Sequence, residues 1–162
     1  MKIQILTTGG TIDKFYFDRK DTFQVGEPQI GQLLREANVT VEYEIRELLH
    51  KDSLELTDED RQRLKETVAA LDSRRIVITH GTDTMTASAV VLAAIPDKTI
   101  VLTGALSPAR FSDSDAPFNI GMAFAAAQSL PPGVYVAMNG RVFRGDKVIK
   151  DREQRSFVAK NE

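Results

Sequence analysis

The chain has 162 residues, which is enough for one domain with its own core and short for two. Apolar residues make up 42% and charged residues 27%, an ordinary globular balance, and a net charge of −2 excludes the basic footprint of a nucleic-acid or anionic-membrane binder. There are no cysteines, which removes disulfides, thiolate metal sites and a cysteine nucleophile.

In chain order, MKIQILTT carries one lysine and a short apolar run, so it reads as a first strand and not as a secretory leader. The paired glycines of TTGGTID, Thr7 to Asp13, follow it. Residues 13–26, DKFYFDRKDTFQVG, mix charges with three Phe and one Tyr and show no period. They read as a surface loop or, more sharply, as an active-site lid whose aromatics close over a ligand. Ile30, Leu33, Leu34 and Ala37 form a helical stripe. VEYEIREL sets Val41, Tyr43 and Ile45 against Glu42, Glu44 and Arg46, which predicts a strand with one face less buried. Thr57 and Asp60 predict a capping box opening a helix with Leu64, Val68 and Leu71 on its apolar stripe.

RIVITHG, TIVLTGA and VYVAMNG are apolar runs that end in Gly or hydroxyl residues, as strands buried on both faces do. Segment 84–94 is apolar nearly all round and predicts a helix lying deep against a sheet. Asp115 ahead of Ala116 and Pro117 is placed to cap a helix carrying Ile120, Phe124 and Ala127. VFRGDKVIK then falls in a C-terminal hairpin. No apolar stretch reaches membrane-spanning length, and a cytoplasmic location is expected.

Alternation of this kind predicts an α/β fold: an open, doubly wound, mostly parallel sheet flanked by helices (Rossmann/flavodoxin-like), with a C-terminal β-hairpin, in a single domain over 1–162. Ligands bind such sheets outside the carboxyl ends of the strands, which points to the loops after Thr7, Thr79 and Thr103. The chemistry-bearing residues gather in those loops. TTGGTID offers glycines that let backbone approach a ligand closely, yet neither G-x-G-x-x-G nor G-x-x-x-x-G-K-[ST] is present. In HGTDT, helix capping accounts for one of Thr82, Asp83 and Thr84, not for all three. Lys150 taken singly is an ordinary solvated lysine. His80 reads as structural at a strand end and His50 as loop surface, and neither a metal nor a cofactor is expected.

TGGTI and HGTDTM, in this order and at this spacing, resemble the bacterial-type L-asparaginase (asparaginase/glutaminase) family. The similarity continues through VLTGALSP, DAPFNI and MNGRVFRGDKVIK. The resemblance implies an amidohydrolase that converts L-asparagine to L-aspartate and ammonia through a threonine-linked acyl-enzyme. It makes Thr11 the nucleophile, Thr82 a second essential threonine, and Asp83 the carboxylate for the substrate's α-amino group. Lys150 becomes the lysine that hydrogen-bonds Asp83. Ser53, flanked by Asp52 and Leu54, becomes the hydroxyl for the α-carboxylate, and Gly10, Gly81 and Ala105 line the pocket with backbone.

Three departures accompany it. Leu54 stands where many relatives carry a polar residue. Alignment on QVG puts Phe23 at the lid tyrosine's position, leaving Tyr16 as the lid tyrosine available to assist Thr11. The chain also stops soon after Lys150, so it resembles a short form with the catalytic domain alone, expected to assemble as a homo-oligomer (dimer or tetramer) to complete its site. The alternative is a catalytically weak amide-binding or regulatory module derived from the same domain.

Overall fold

The computed structural model describes residues 1–161. The chain runs through β1 (Lys2–Gly9), β2 (Lys14–Phe17), β3 (Thr22–Val25), α1 (Ile30–Glu36), β4 (Glu42–Lys51), α2 (Asp58–Ala70) and β5 (Arg75–Thr79). It continues through α3 (Met85–Leu92), β6 (Thr99–Thr103), α4 (Ala116–Ser129), β7 (Gly133–Met138), β8 (Arg141–Arg144), β9 (Val148–Asp151) and β10 (Ser156–Ala159). The main sheet has the order β4-β1-β5-β6-β7-β8, with parallel pairing throughout except for β8, which closes one edge antiparallel to β7. The expected doubly wound α/β sheet with a C-terminal hairpin is therefore what forms.

Period-two alternation explains why the central strands are apolar without interruption. Leu6, Ile76, Ile78, Ile100 and Leu102 face one layer, where Leu64 and Val68 of α2 and Met85, Ala89 and Leu92 of α3 cover them. Ile3, Ile5, Val77 and Val101 face the other layer, beneath Ile30 and Leu34 of α1 and Ile120, Ala123 and Ala127 of α4. Both sets are fully buried, and each such aliphatic side chain contributes about 1.5–3 kcal/mol relative to exposure. β4 has a neighbour on one side only and is accordingly wetter: Ile45 is 36% exposed and Lys2 pairs with Glu44 across the outer ladder. His50, expected in a surface loop, lies on this exposed strand instead.

The capping box forms as expected: Asp60 N–H donates to Thr57 Oγ1 at 3.2 Å and Thr57 N–H donates to Asp60 Oδ2 at 3.0 Å. Two local expectations change. Residues 13–26 are not irregular but a β-hairpin, β2 pairing with β3. Its turn is made by Asp21 at φ 49, and edge-on contacts between Tyr16 and Phe23 and between Phe23 and Phe111 compensate for the missing apolar period. Asp115 precedes α4 but makes no side-chain cap. Its carboxylate accepts from Leu106 N–H and Ser107 N–H at 3.0 Å and from the Asn119 amide at 2.8 Å, because the loop after β6 has free N–H groups of its own to satisfy.

Candidate active site

The five parallel strands, numbered along the chain, lie in the order 2-1-3-4-5, so the winding reverses between β1 and β5. The carboxyl ends of these two strands open into a cleft there. The β1 end turns at Gly10 with φ 91, a conformation that side-chain-bearing residues rarely adopt. A Cβ on Gly10 would sit 2.4 Å from Gly81 N, and one on Gly81 would sit 2.6 Å from Ser53 Cβ. The turns after β1, β4 and β5 therefore touch through bare backbone. Ala105, after β6, is buried in the apolar layer that also contains Ile12. Asn119 ties this loop down by donating to Gly104 O at 2.9 Å.

Thr11 opens a short 3-10 turn, Thr11–Asp13, and Thr82 follows Gly81 on the way into α3. Both line one cavity of about 230 Å³ together with Asp83, Leu106, Lys150, Arg152 and Arg155. Lys150 arrives from the other end of the chain, and strand alternation dictates how. Val148 and Phe157 face inward and are buried with α3, and Phe157 lies opposite Lys150 in the β9–β10 register. Lys150 shares that inward face, while Ile149 points out and is 45% exposed. Lys150 Nζ donates to Thr82 Oγ1 and to Asp83 Oδ1, each at 2.8 Å, with 15% of its side chain exposed. Asp83 is more open at 30%, with Arg152 Nε 3.9 Å from the same oxygen.

The remaining predicted residues are spread around this cavity. Ser53 is 1% exposed and stands off the cavity wall: its Oγ accepts from Thr84 N–H at 3.4 Å and its carbonyl accepts from Thr84 Oγ1 at 2.8 Å. Its hydroxyl oxygen thus helps fix the approach to α3. Asp52 caps the turn Ser53–Glu55 by accepting from Leu54 N–H and pairs with Lys14 Nζ at 2.5 Å. Burial pushes the Asp52 carboxyl upward, but the Lys14 ammonium and the Leu54 N–H outweigh it and hold it below the usual value. Leu54 is 66% exposed and off the wall. Tyr16 is brought to the hairpin surface, where its hydroxyl donates to Asp21, and it does not line the Thr11 cavity.

Two buried titratable groups flank the cleft. His80 is fully buried; its Nδ1–H donates to Gly81 O at 2.6 Å and Nε2 accepts from Ser88 Oγ at 2.8 Å. Burial pushes its pKa down to about 4, so it is neutral at pH 7 and structural, as expected. Asp13 is 2% exposed, and burial pushes its carboxyl up to about 7. Its Oδ1 accepts from Gln29 N–H at 2.9 Å and its carbonyl from Gly26 N–H at 2.7 Å, which ties off the base of the β2–β3 hairpin.

Sequence reasoning passed over Asp13, Arg152 and Arg155, since acidic and basic residues in turns read as solvated surface. Among the described residues, no group of three or more His, Asp or Glu side chains is placed to hold a metal ion. No helix among the described residues is long and apolar enough to cross a membrane.

Comparison with known proteins agrees with the geometry. The family model described as asparaginase, N-terminal, matches residues 2–159. The chain is 34% identical over 158 residues to an L-asparaginase of Thermococcus kodakarensis, covering 93% of this chain and 48% of that relative. It is 32% identical over 163 residues to a probable periplasmic L-asparaginase of Haemophilus influenzae, covering 91% and 46%. Among solved structures, a probable cytoplasmic L-asparaginase of Campylobacter jejuni superposes with a TM-score of 0.81 at 30% identity, covering 98% of this chain and 51% of that one. The chain thus spans about half the length of the relatives it matches. Over that length it belongs to the asparaginase family, as a counterpart of the family's N-terminal domain.

Proposed function

We propose that the chain carries amidohydrolase chemistry, converting L-asparagine to L-aspartate and ammonia. The observation that carries this reading is the Lys150 ammonium shared between Thr82 Oγ1 and Asp83 Oδ1 at 2.8 Å each, on the wall of the cavity that also presents Thr11. An alcohol is a weak nucleophile at neutral pH and needs an adjacent group to take its proton or stabilise its charge. Lys150 supplies positive charge to Thr82, and Asp83 keeps that ammonium oriented. The Thr11 hydroxyl makes no hydrogen bond among the described residues, which leaves it available to a substrate.

In the proposed course, Thr11 Oγ1 bonds to the side-chain amide carbon and its proton passes by way of the Thr82 hydroxyl to the departing amide nitrogen, while the Lys150 ammonium stabilises the charge that develops on Thr82 Oγ1. Backbone N–H groups at the Gly10 turn and at the Thr82 approach to α3 hold the oxyanion. The C–N bond breaks, ammonia departs, and water cleaves the Thr11 ester to release L-aspartate. Asp83 receives the α-amino group. A homo-oligomer in the cytoplasm remains part of the proposal.

The test is ammonia release from L-asparagine by the parent protein and by Thr11→Ala. Loss of a covalent catalytic group commonly costs about 10³-fold or more, so Thr11→Ala should fall to background with an unchanged fold. Parent-like turnover in that variant refutes the nucleophile. L-asparagine binding without ammonia release by the parent returns the chain to a binding or regulatory module.

A further inference from the structure

The β2–β3 hairpin leaves the Thr11–Asp13 turn directly, and every residue of its two strands is exposed or half-buried. Its outer contacts are open to water: Phe23 is 50% exposed where it meets Phe111, and Arg110 lies over the Phe15 ring at 5.7 Å. What fixes the base of the hairpin is a set of polar ties. Asp13 accepts from Gly26 N–H through its carbonyl at 2.7 Å and from Gln29 N–H through Oδ1 at 2.9 Å. His50 of β4 joins Nε2 to Val25 O and Nδ1 to Glu47 Oε1, each at 2.9 Å. Beside these ties a cavity of about 340 Å³, lined by Lys14, Phe23, Val25, His50, Asp52 and Glu55, separates the hairpin from the turn after β4. Lys14 and Asp52 pair there.

Two of the ties favour a bound proton. Both partners of His50 are acceptors, a carboxylate and a carbonyl, so only the imidazolium, with an N–H on each nitrogen, satisfies both. Its pKa is raised accordingly, by Glu47 first and then by Val25 O, with Glu27 ahead of α1 adding to the effect. Asp13 is 2% exposed, and burial, the largest influence on it, pushes its carboxyl up to about 7. The Gln29 N–H, His50 of β4 and Arg110 after β6 oppose that rise, and Glu47 of β4 adds to it.

Resting on the amidohydrolase reading, we propose that Asp13 and His50 are positioning residues for the nucleophile: in their protonated forms they latch the hairpin base, and the latch holds the Thr11 turn on the cavity wall. The coupling runs through the chain itself. Thr11 and Asp13 share one 3-10 turn, which Asp13 N–H closes on Gly10 O at 3.1 Å, and Ile12 O in that turn accepts from Ala109 N–H at 3.0 Å. With the base released, Asp13 is hydrated and ionises near its ordinary 3.8, and His50 loses its proton near 6.5. The latched form therefore binds protons more tightly at both residues. Asp13 favours latching fully below 3.8 and loses that effect as pH rises to about 7, and the contribution of His50 is lost above 6.5. Both act in one sense: acid secures Thr11 and alkali frees it.

The experiment follows amide hydrogen exchange at position 13 and at Gly26 from pH 5 to pH 8, corrected for intrinsic rates, in the parent, Asp13→Asn and His50→Gln. The Ile5 and Val77 amides of the central strands report global unfolding. From 3.8 and about 7, the local opening constant of the parent should rise about 100-fold across this range on account of Asp13. Asp13→Asn should remove most of the rise and His50→Gln a smaller part. Turnover is the second arm. Asp13→Ala should lower kcat on L-asparagine about 10- to 100-fold with KM changed far less, because a misplacement of about 1 Å at a reacting atom costs about that much. Asp13→Asn, which keeps an oxygen for Gln29 N–H, should recover most of that loss at pH 7.

A parent whose opening constant does not change with pH overturns the inference, as does a profile that Asp13→Asn leaves intact, or full kcat in a folded Asp13→Ala protein. Exchange at position 13 and Gly26 no faster than at Ile5 and Val77 also overturns it, since the base then never opens by itself. A pH response at Gly26 without one at position 13 does the same, because the hairpin then moves without the Thr11 turn. The two proposals fail separately. If L-asparagine yields no ammonia while exchange at both amides still follows Asp13, the hydrolase reading falls and the latch stands. Ammonia release by a parent whose exchange profile is flat does the reverse.

Discussion

Replacing Asp13 with Asn should change how stability responds to pH. In the folded protein the Asp13 carboxyl is buried and displaced from an ordinary value near 3.8 up to about 7. Below the lower value it is protonated in both states and folding loses nothing. As pH rises toward 7 the unfolded chain releases its proton while the folded chain retains it, so stability falls. At about 1.36 kcal/mol per pH unit the loss reaches about 4 kcal/mol once both states are ionised. His80 acts in the opposite sense over nearly the same window, because its folded value of about 4 lies below the ordinary 6.5. Its stabilisation is complete above 6.5 and is lost as pH falls toward 4. The two slopes offset one another in the parent protein.

Asp13→Asn keeps an oxygen for the Gln29 N–H, which Asp13 Oδ1 accepts at 2.9 Å, and removes one of the two slopes. The buried amide of the new side chain costs about 1–3 kcal/mol at every pH, so the change in the variant-minus-parent difference is the informative quantity. That difference should move in the variant's favour by about 3 kcal/mol between pH 5 and pH 8, measured by urea unfolding followed by circular dichroism. The same difference at both pH values refutes the buried-carboxylate reasoning.

Lys150→Met should abolish ammonia release while lowering stability by no more than about 2 kcal/mol, because the 30% exposed Asp83 side chain can be hydrated once its partner is gone; full turnover at neutral pH would make Lys150 a surface lysine. Gly81→Ala drives a Cβ to within 2.6 Å of Ser53 Cβ and should cost about 1–3 kcal/mol by denaturant unfolding, together with substrate affinity. Tyr16→Phe removes an exposed hydroxyl that rests on Asp21, so stability should shift by less than about 1 kcal/mol and turnover should stay near that of the parent. Loss of turnover in a folded Tyr16→Phe protein would return that hydroxyl to the nucleophile. For the proposed homo-oligomer, specific activity should fall on dilution as light scattering reports smaller particles; a fully active monomer at nanomolar concentration removes it.

Strand and helix content was legible because period and burial agree along this chain. RIVIT and TIVLT are apolar at every position, and only a strand covered on both faces calls for that. The capping box at Thr57 is a local device of four residues and needs no tertiary partner to be recognised. TGGTI and HGTDTM marked the cleft because their glycines and hydroxyls sit where two strands end, and Gly10 and Gly81 are small for a reason that local sequence already suggests.

Other features came from long-range packing alone. Residues 13–26 lack a period because their hairpin is held by ring contacts to Phe111 and by the ties at Asp13, not by an apolar face of its own. Asp115 looked like a helix cap, but its carboxylate serves the loop after β6, whose free N–H groups no local pattern reveals. Ser53 carries a polar side chain in a matching motif, and only the tertiary structure shows that Thr84 and Gly81 pack around its hydroxyl. Lys150 meets Thr82 across 68 residues of chain because Val148 and Phe157 bury the inner face of the hairpin and bring the lysine in with them. Arg152 and Arg155 are two charged turn residues in the sequence; what places them on the Thr11 cavity is the docking of that hairpin, a hydrophobic event that neither arginine records.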